Sequence, residues 1–476
     1  MTYGAPTRQA LHAAGDRPLL HHQEGSFSGG EIDAAVDVLA RRLSAVVDHD
    51  GVVGIWAWNS PEVIVAHLAA DRAGLTRVPI DPEAPPAEAR AILDAVGADF
   101  VFVDEEHAVD VGRPSHPLTR DVWTTSGMAF VPPERDGTHI AVRIVRGLDG
   151  GGVLNIPLTH DNWDAHMRQS MSFLRGGLYG HTVGPDSVYL TVQQVQYGTG
   201  LLGTFPFLRM GLPQVILSKF DAAKVIDAVE RHGATTTFMV PGMVARLCDA
   251  LDGHDMSRWT LNVLYGGAPF PLEAIQRAAA VLGPQRLSQL YGRFEGGWPI
   301  TVLDGADHQR ITEGEHRLAG SCGRIVPGIE VDLVRHVADD PRAELRVRSD
   351  CTAPLFTDAD GWCALGDLAT TDEEGHLFLH GRLDGMINTG AFHVYPAEVA
   401  AAISAEFPDA ASVDVVGRPD EQWGEAVTAI MAWTDIELAP TRGDFRQRMS
   451  ARLAKYKIPI RVEHRQVSSA DHGGRR

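Results

Sequence analysis

Lysine is scarce in this chain of 476 residues. Only four lysines occur among its 42 lysine and arginine side chains. They are Lys219, Lys224, Lys455 and Lys457. Any chemistry that requires a lysine ammonium group before position 219 is therefore excluded.

Positive charge is scarce as a whole. The chain has 62 aspartate and glutamate residues against 42 lysine and arginine residues, which gives a formal net charge of −20 at pH 7. A chain this negative is repelled by the phosphates of nucleic acids and by anionic lipid headgroups. We therefore expect no nucleic acid and no membrane among its partners.

Three further features are lacking. The four cysteines form no CxxC pair, which argues against a structural zinc site. No stretch approaches the roughly 18 uninterrupted apolar residues of a membrane span. The first residues show no basic run followed by an apolar run, as a signal peptide would. Scattered cysteines in such a chain are typical of a reducing compartment, so a cytoplasmic location is expected.

The residue pattern itself predicts an α/β fold. Apolar residues make up 44% of the chain and charged residues 22%, as in ordinary globular proteins. In the first 130 residues, helical periodicity alternates with short apolar runs, and the same alternation returns between 187 and 264. We predict helices at 31–47, 61–74 and 87–96 and strands at 51–58, 77–80 and 100–103. Such alternation favours two lobes with parallel sheets.

The residue pattern changes after residue 320. Alternating side chains at 331–334 and 344–348 predict half-exposed strands and a small β-rich subdomain. Beyond these, the pattern predicts a small α+β unit with a helix at 396–406, strands at 413–416 and 426–433, and a basic helix at 442–456. A small C-terminal domain is therefore expected.

Several short motifs follow one another along the chain. They are NSPE at 59–62, YGGAPFP at 265–271, YGRFEGG at 291–297, GSCGRIVPG at 320–328, ALGDL at 364–368, GRLDGMINTG at 381–390, YPAEV at 395–399 and GRPDEQWGE at 417–425. In their order and spacing, the chain resembles the adenylate-forming acyl ligases over nearly its whole length. These are the acyl- and aryl-CoA synthetases, the adenylation domains of peptide synthetases, and luciferase.

The resemblance implies a reaction and a domain division. A carboxylate attacks the α-phosphate of ATP and a thiol then attacks the acyl-adenylate, so ATP, magnesium, and coenzyme A or a phosphopantetheine carrier protein are the implied cofactors and partners. The other partner is a small-molecule acid or acyl thioester. The division implied is an N-terminal ligase-type domain at 1–382 and a mobile C-terminal domain at 383–476, with a hinge near Asp384.

The resemblance also implies roles for single residues. Asp367 would accept the ribose hydroxyls, since a carboxylate takes two O–H donors. Arg382 would reach the same ribose and serve catalysis, and Glu295 would bind magnesium, an oxygen-seeking cation. The adenine site would comprise Gly266, Gly267, Ala268, Tyr291 and Gly292. The acyl site would comprise Gln196, Tyr197 and Gly198. The glutamine side chains in and next to this segment favour a polar or aromatic acid of secondary metabolism over a long fatty chain.

The phosphate-binding loop departs from the family pattern. The segment at 146–155 reads RGLDGGGVLN, without the family's hydroxyl side chains, and its lysine position falls on Val153 or Leu154. Its remnant comprises Arg146, Gly147, Gly150, Gly151 and Gly152, whose N–H groups could still form an anion nest. Elsewhere the family's threonines are replaced by Phe294 and Leu365, and its C-terminal lysine by Gly474.

Three functions remain open from the sequence. The first is an ATP- and magnesium-dependent acid ligase with an altered phosphate site. The second is an enzyme that takes a preactivated thioester or adenylate and transfers or cyclises the acyl group without ATP. The third is a non-catalytic pseudo-ligase. Because function resides in the site rather than in the fold, the motifs alone do not decide among them.

Overall fold

The computed structural model describes residues 4–123, 129–149, 152–177, 180–335, 341–383, 385–390 and 392–466. Its α-helices are α1 (Ala5–Ala14), α2 (Gly29–Val46), α3 (Pro61–Arg72), α4 (Pro86–Val96), α5 (His160–Gly176), α6 (Gly198–Arg209), α7 (Ala222–His232), α8 (Pro241–Ala250), α9 (Leu272–Leu282), α10 (Gly305–Thr312), α11 (Pro396–Glu406) and α12 (Arg442–Met449). Within the described residues, no helix is long and apolar enough to cross a membrane.

The strands form three sheets. The first half of the chain contributes β1 (Pro18–His22), β2 (Gly25–Ser28), β3 (Val52–Trp56), β4 (Thr76–Ile80), β5 (Phe100–Val103), β6 (Ser115–Pro117), β7 (Ile140–Asp149), β8 (Gly152–Thr159), β9 (Tyr189–Thr191), β10 (Gln214–Ile216) and β11 (Thr236–Met239). The second half contributes β12 (Asn262–Gly266), β13 (Leu287–Arg293), β14 (Gly297–Leu303), β15 (Ser321–Ile325), β16 (Glu330–Val334), β17 (Ala343–Arg348), β18 (Cys363–Thr371), β19 (His376–Arg382), β20 (Ile387–Thr389), β21 (Phe392–Val394), β22 (Ala410–Asp420), β23 (Gly424–Trp433) and β24 (Arg461–Gln466).

The first lobe contains a six-stranded sheet in the order β6-β5-β3-β4-β7-β8. Its centre is parallel, with β3 between β4 and β5. Local capping explains the helices that cover it. The Ser28 hydroxyl accepts a hydrogen bond from Glu31 N at the start of α2, and the Ser60 hydroxyl accepts one from Val63 N at the start of α3. The parallel α/β lobe predicted here is confirmed.

The second lobe and the β-rich segment share one sheet of thirteen strands, in the order β16-β17-β18-β19-β15-β14-β13-β12-β11-β9-β10-β1-β2. Strands β9 to β13 pair in parallel, and β14 to β19 continue the sheet in antiparallel fashion. The predicted β-rich subdomain is therefore an extension of the second lobe's sheet, in which β14 and β15 lie between β13 and the β18–β19 pair.

The C-terminal unit is built on a separate sheet in which β23 pairs with β20, β22 and β24. Helix α12 begins at the Thr441 cap but ends at Met449, so the helix predicted at 442–456 is too long. The following segment leaves the helix, stacks Tyr456 on Phe392 and places Lys457 against Glu88 in the N-terminal part of the chain. Asp384, the predicted hinge, lies outside the described residues, and the boundary at 382 stays a prediction.

The predicted phosphate loop is a β-hairpin. Strands β7 and β8 pair from Ile140↔Thr159 to Asp149↔Gly152, so most of segment 146–155 is strand rather than loop. Ile144 and Ile156 face each other in this ladder and both are buried, which shows that apolar alternation outweighs the glycines here. Gly150 and Gly151 lie outside the described residues.

Candidate active site

A buried carboxylate organises the predicted ribose site. Asp367 lies on β18 directly opposite Arg382 of β19. Arg382 Nη1 donates to Asp367 Oδ1 at 2.9 Å, and the Tyr291 hydroxyl donates to Oδ2 at 2.6 Å. A carboxylate offers about four acceptor positions, so two remain for a ribose diol after these two bonds. Burial, followed by the charge of Asp367, raises the pKa of Tyr291 well above its ordinary value, so Tyr291 stays a donor.

Arg293, to which the motifs assign no role, joins this cluster. Arg293 lies two residues before Glu295, in the x position of the YGxTE-like motif. Its Nε donates to Glu295 Oε1 at 2.8 Å, and its Nη1 lies 3.5 Å from Asp367 Oδ2. The sequence signal for Arg293 was a charged residue two positions before the expected metal ligand. The partners of Arg293 could not be predicted, because they depend on the fold of the β13–β14 turn.

The predicted magnesium role of Glu295 does not fit this arrangement. Magnesium requires carboxylate oxygens with room for its waters, yet the guanidinium of Arg293 already pairs with this carboxylate. Among the described residues, no group of three or more His, Cys, Asp or Glu side chains could hold a metal ion.

The predicted adenine turn follows β12. A Cβ atom on Gly266 would lie 2.2 Å from the carbonyl oxygen of Leu290, so glycine is required there by the neighbouring strand β13. Gly267 has φ +83° and is exposed, and Ala268 is half-buried. Gly292 is equally confined, by Trp298 and the Gly297 carbonyl. The turn thus lies beside Tyr291, as predicted, while the adenine role of these residues stays a prediction.

A small apolar pocket lies between α5, α6 and the central strands. It has room for about one water molecule. Its walls are formed by Ser170, Phe173, Leu174, Tyr189, Thr199, Leu202, Gly203, Phe207, Phe238, Leu264, Leu290, Trp298 and Pro299. Leu290 precedes Tyr291 on β13, so the pocket and the carboxylate cluster share a strand.

One polar group in this pocket has no partner. The Ser170 hydroxyl is buried and makes no hydrogen bond to the described residues. An unsatisfied buried hydroxyl costs about 1–3 kcal/mol, so its presence calls for a partner that a ligand could supply. The sequence contained a signal for Ser170, since Phe173 and Leu174 follow it at helical spacing, but nothing showed that this face lines a pocket.

The turn between β13 and β14 separates the pocket from the carboxylates. The Phe294 ring packs on the first residue of α6, where a Cβ on Gly198 would lie only 1.6 Å from its Cε2. His166 Nε2 lies 3.2 Å from the Phe294 carbonyl oxygen, and burial lowers the pKa of this histidine to about 4. His166 is therefore neutral near pH 7 and donates to that carbonyl.

The predicted acyl-site residues adjoin the pocket without lining it. Gln196 Nε2 donates to the Ala57 carbonyl at 2.7 Å, and its Oε1 lies 3.1 Å from His67 Nε2. The Tyr197 hydroxyl donates to Asp81 at 2.7 Å. These side chains make hydrogen bonds between the two lobes. Their contacts therefore do not support the prediction, made from the glutamines, of a polar acid as substrate. The pocket wall on α6 begins at Thr199.

The C-terminal unit docks beside the same site. Phe392 of β21 stacks on Tyr456 with ring centroids 4.0 Å apart and meets Tyr197 edge-on at 5.5 Å. Lys457 Nζ donates to Glu88 of α4 at 2.5 Å and to Glu398 of α11 at 2.7 Å. All three of these charged side chains are buried. A buried charge cluster and an aromatic stack thus join the two parts of the chain.

The altered phosphate segment adds no hydroxyl or lysine side chain to this site. Arg146 and Gly147 lie on β7 and Gly152 begins β8. The anion-binding role predicted for these residues stays a prediction, and that of Gly150 and Gly151 lies outside the described residues.

Comparison with known proteins agrees with this geometry. The sequence model described as AMP-binding enzyme matches residues 7–135 and 155–355. The segment between the two matched stretches, 136–154, contains most of the β7–β8 hairpin. The family match therefore covers the adenine motif and Glu295, ends before Asp367 and Arg382, and is interrupted at the predicted phosphate site.

Individual relatives extend the likeness to most of the chain. A medium/long-chain-fatty-acid–CoA ligase of Mycobacterium tuberculosis is 28% identical, over 89% of this chain and 78% of its own. An indoleacetate–CoA ligase of Aromatoleum aromaticum is 27% identical, over 94% and 91%. The solved structure of an amide bond synthetase from Marinactinospora thermotolerans superposes with a TM-score of 0.83 at 25% identity, covering 96% of this chain and 95% of the other.

Proposed function

The chain belongs to the AMP-binding enzyme family, and from that premise we propose that it binds a preformed acyl-adenylate and transfers its acyl group to a thiol. In this reaction the thiol sulfur attacks the acyl carbonyl carbon and forms a C–S bond. The bond between that carbon and the phosphate oxygen breaks, AMP leaves and the thiol proton is released. The observation that carries the proposal is the Tyr291–Asp367–Arg382 cluster, which adjoins an apolar pocket and has acceptor positions for a ribose.

The activation step is the part that this chain supports poorly. Joining an acid to ATP brings an anion to a polyanion and needs aimed positive charge. The segment at 140–159 has no lysine, and Glu295 pairs with Arg293 instead of being open to magnesium. Loss of one well-placed donor in such a site lowers the rate by about 10²–10³. We infer that acyl activation occurs elsewhere and that this chain acts on the product.

The pocket indicates the class of acyl group. Its wall is almost entirely apolar and includes the aromatic rings of Phe173, Phe238 and Trp298, which would pack on a flat group once the pocket widens around it. The unpartnered Ser170 hydroxyl would meet a hydrogen-bonding group at the far end of that acyl chain. An aromatic acid with one distal polar group fits both features. The indoleacetate–CoA ligase among the relatives acts, as its name states, on an aromatic acid.

The proposal is tested by supplying the activated acyl group directly. Chemically prepared phenylacetyl-adenylate is mixed with coenzyme A or pantetheine, and thioester formation is followed by chromatography with and without the protein. We expect an acceleration of about 10²-fold or more over the uncatalysed reaction, from positioning alone. No acceleration with adenylate would contradict the proposal. Thioester formation from phenylacetate and ATP would show that the chain is an ordinary ligase, because such a ligase also accelerates the reaction of supplied adenylate.

That second candidate, an ATP-dependent acid–thiol ligase, is favoured by the retained Asp367–Arg382 pair. The relatives named as CoA ligases also favour it. The two candidate functions differ in one requirement. The ligase needs ATP in the same reaction mixture as the free acid, whereas the acyl transferase takes a preformed adenylate. Under both candidate functions, the thiol can belong to coenzyme A or to a phosphopantetheine carrier protein. Both carry the pantetheine thiol, and the reaction with pantetheine tests this shared part.

Replacing Ser170 by alanine should separate stability from recognition. Since the hydroxyl is buried without a partner, we expect Ser170→Ala to raise the free energy of unfolding by about 1 kcal/mol. The same change should abolish a preference of about tenfold for 4-hydroxyphenylacetyl-adenylate over phenylacetyl-adenylate. Urea unfolding measures the first effect and kcat/KM for the two adenylates the second. A preference that survives in the variant would show that Ser170 does not contact the acyl group.

A further inference from the structure

A single guanidinium lies between the two carboxylates of the site. Arg293 is 7% exposed, Glu295 3% and Asp367 5%. Arg293 Nε donates to Glu295 Oε1 at 2.8 Å, while Nη1 is 3.5 Å from Asp367 Oδ2. Two carboxylates and one cation are thus enclosed in protein, and Arg382 supplies a second cation on the other oxygen of Asp367.

We propose that Arg293 is a built-in cation of the nucleotide site, which occupies the place of a divalent metal at Glu295 and makes nucleotide binding independent of magnesium. The proposal deepens the proposed function and rests on it for the identity of the nucleotide as an adenylate. The claim that Arg293 and a divalent cation exclude each other at these carboxylates is independent of the proposed function.

The electrostatics of the cluster support this exclusion. Two positive charges a few ångströms apart repel each other strongly in a buried site, where the effective dielectric constant is low. A divalent ion at Glu295 would therefore have to displace the guanidinium into a buried, unpaired state. The arginine guanidinium also remains charged in proteins, because its pKa exceeds about 12.

Geometry makes the guanidinium a suitable replacement. Its planar fork carries five N–H donors and can bond two acceptors at once. Because Arg293 is the last residue of β13, and Glu295 lies in the turn that follows, the same turn fixes both partners. The cation is covalently attached and does not need to bind from solution. A nucleotide with one phosphate then meets a site whose carboxylates are already neutralised.

The first arm of the test measures AMP binding to the wild-type protein by calorimetry, in excess magnesium chloride and in EDTA. We expect the two dissociation constants to agree within about threefold. Tighter binding in magnesium by about tenfold or more would overturn the proposal. Absence of AMP binding in both conditions would instead count against the proposed function, and the second arm then decides on Arg293.

The second arm needs no nucleotide. Arg293→Met removes the guanidinium and leaves two buried carboxylates near one another, so Mn²⁺ should raise the midpoint of thermal unfolding of this variant by about 2 °C or more. The wild type and the double variant Arg293→Met/Glu295→Gln should show no such shift. Arg348→Met, which removes an exposed arginine from its pair with Glu330, is the surface control and should also show none.

The outcomes of the second arm are distinct. A shift in R293M that is lost in the double variant supports the proposal. A shift of equal size in the wild type, or none in a folded R293M, overturns it. If R293M yields no folded protein even with Mn²⁺ present, the AMP affinities of the wild-type protein decide. AMP binding that is tenfold tighter in magnesium contradicts a built-in cation, whatever the variant does.

Discussion

Lys457→Met is expected to lower the free energy of unfolding by about 3–5 kcal/mol, the cost of leaving buried carboxylates without their cation. Lys457 is 2% exposed and donates to Glu88 at 2.5 Å and to Glu398 at 2.7 Å. Glu88 also accepts from Ala454 N at 2.8 Å, so α4 would lose one of two polar contacts to this segment. Urea unfolding, followed by tryptophan fluorescence, measures the effect.

Lys455→Met is the matched control, because it makes the same substitution two residues earlier at an exposed position. It should change the free energy of unfolding by less than about 0.5 kcal/mol. The triple variant Lys457→Met/Glu88→Gln/Glu398→Gln should recover part of the loss, since it removes the charges together. A Lys457→Met variant as stable as the Lys455→Met control would mean that the buried cluster is not what holds the C-terminal unit in place.

Asp367→Asn is expected to lower kcat/KM for acyl transfer from an adenylate by about 10²–10³-fold. A hydrogen bond to a charged group contributes about 1.5–3 kcal/mol, and the proposed ribose contact has two of them. Because the ribose is held in the ground state as well as in the transition state, the loss should fall mainly on KM. Steady-state rates at varied adenylate concentration separate the two parameters.

Asp332→Asn serves as the control for Asp367→Asn. It removes a carboxylate from an arginine pair on β16, which is separated from β18 by β17, at a more exposed position. Its kcat/KM should stay within about twofold of the wild type. Urea unfolding of both variants shows whether Asp367→Asn also destabilises the fold, which we expect because Arg293 and Arg382 then share fewer negative charges. An unchanged KM in a folded Asp367→Asn variant would place the ribose elsewhere.

Much of the fold could be predicted because local patterns and packing agree. The apolar run predicted as a strand at 51–58 is β3 (Val52–Trp56), and the Ser60 cap with Pro61 begins α3 as expected. Prediction failed where tertiary contacts override a local pattern. The basic helix expected at 442–456 ends at Met449, and Lys457 beyond it bonds to Glu88 in the N-terminal part of the chain. The glycine-rich segment 146–155 suggested a loop, but its described residues pair in the strands β7 and β8.

The site was predictable as far as short motifs determine it. The motifs brought Asp367, Arg382 and Tyr291 to one place, and the structure joins their polar atoms. They did not determine Arg293, whose pairing depends on how the β13–β14 turn faces β18. Nor did they identify Ser170, since the pocket is assembled from α5, α6 and five separate strands. The amides of Gln194 and Gln196 bond to the backbone at Asn59 and Ala57 in the first lobe, and the acyl-site role of Gln196 stays a prediction.

We propose that this chain retains the adenylate site of its family without the means to form the adenylate. Acid-dependent exchange of labelled pyrophosphate into ATP tests that claim most directly, measured with magnesium across a panel of aromatic and fatty acids. The same protein sample is assayed for thioester formation from phenylacetyl-adenylate. We predict exchange at the background rate while thioester forms rapidly. Exchange above background with any acid in the panel would contradict the account.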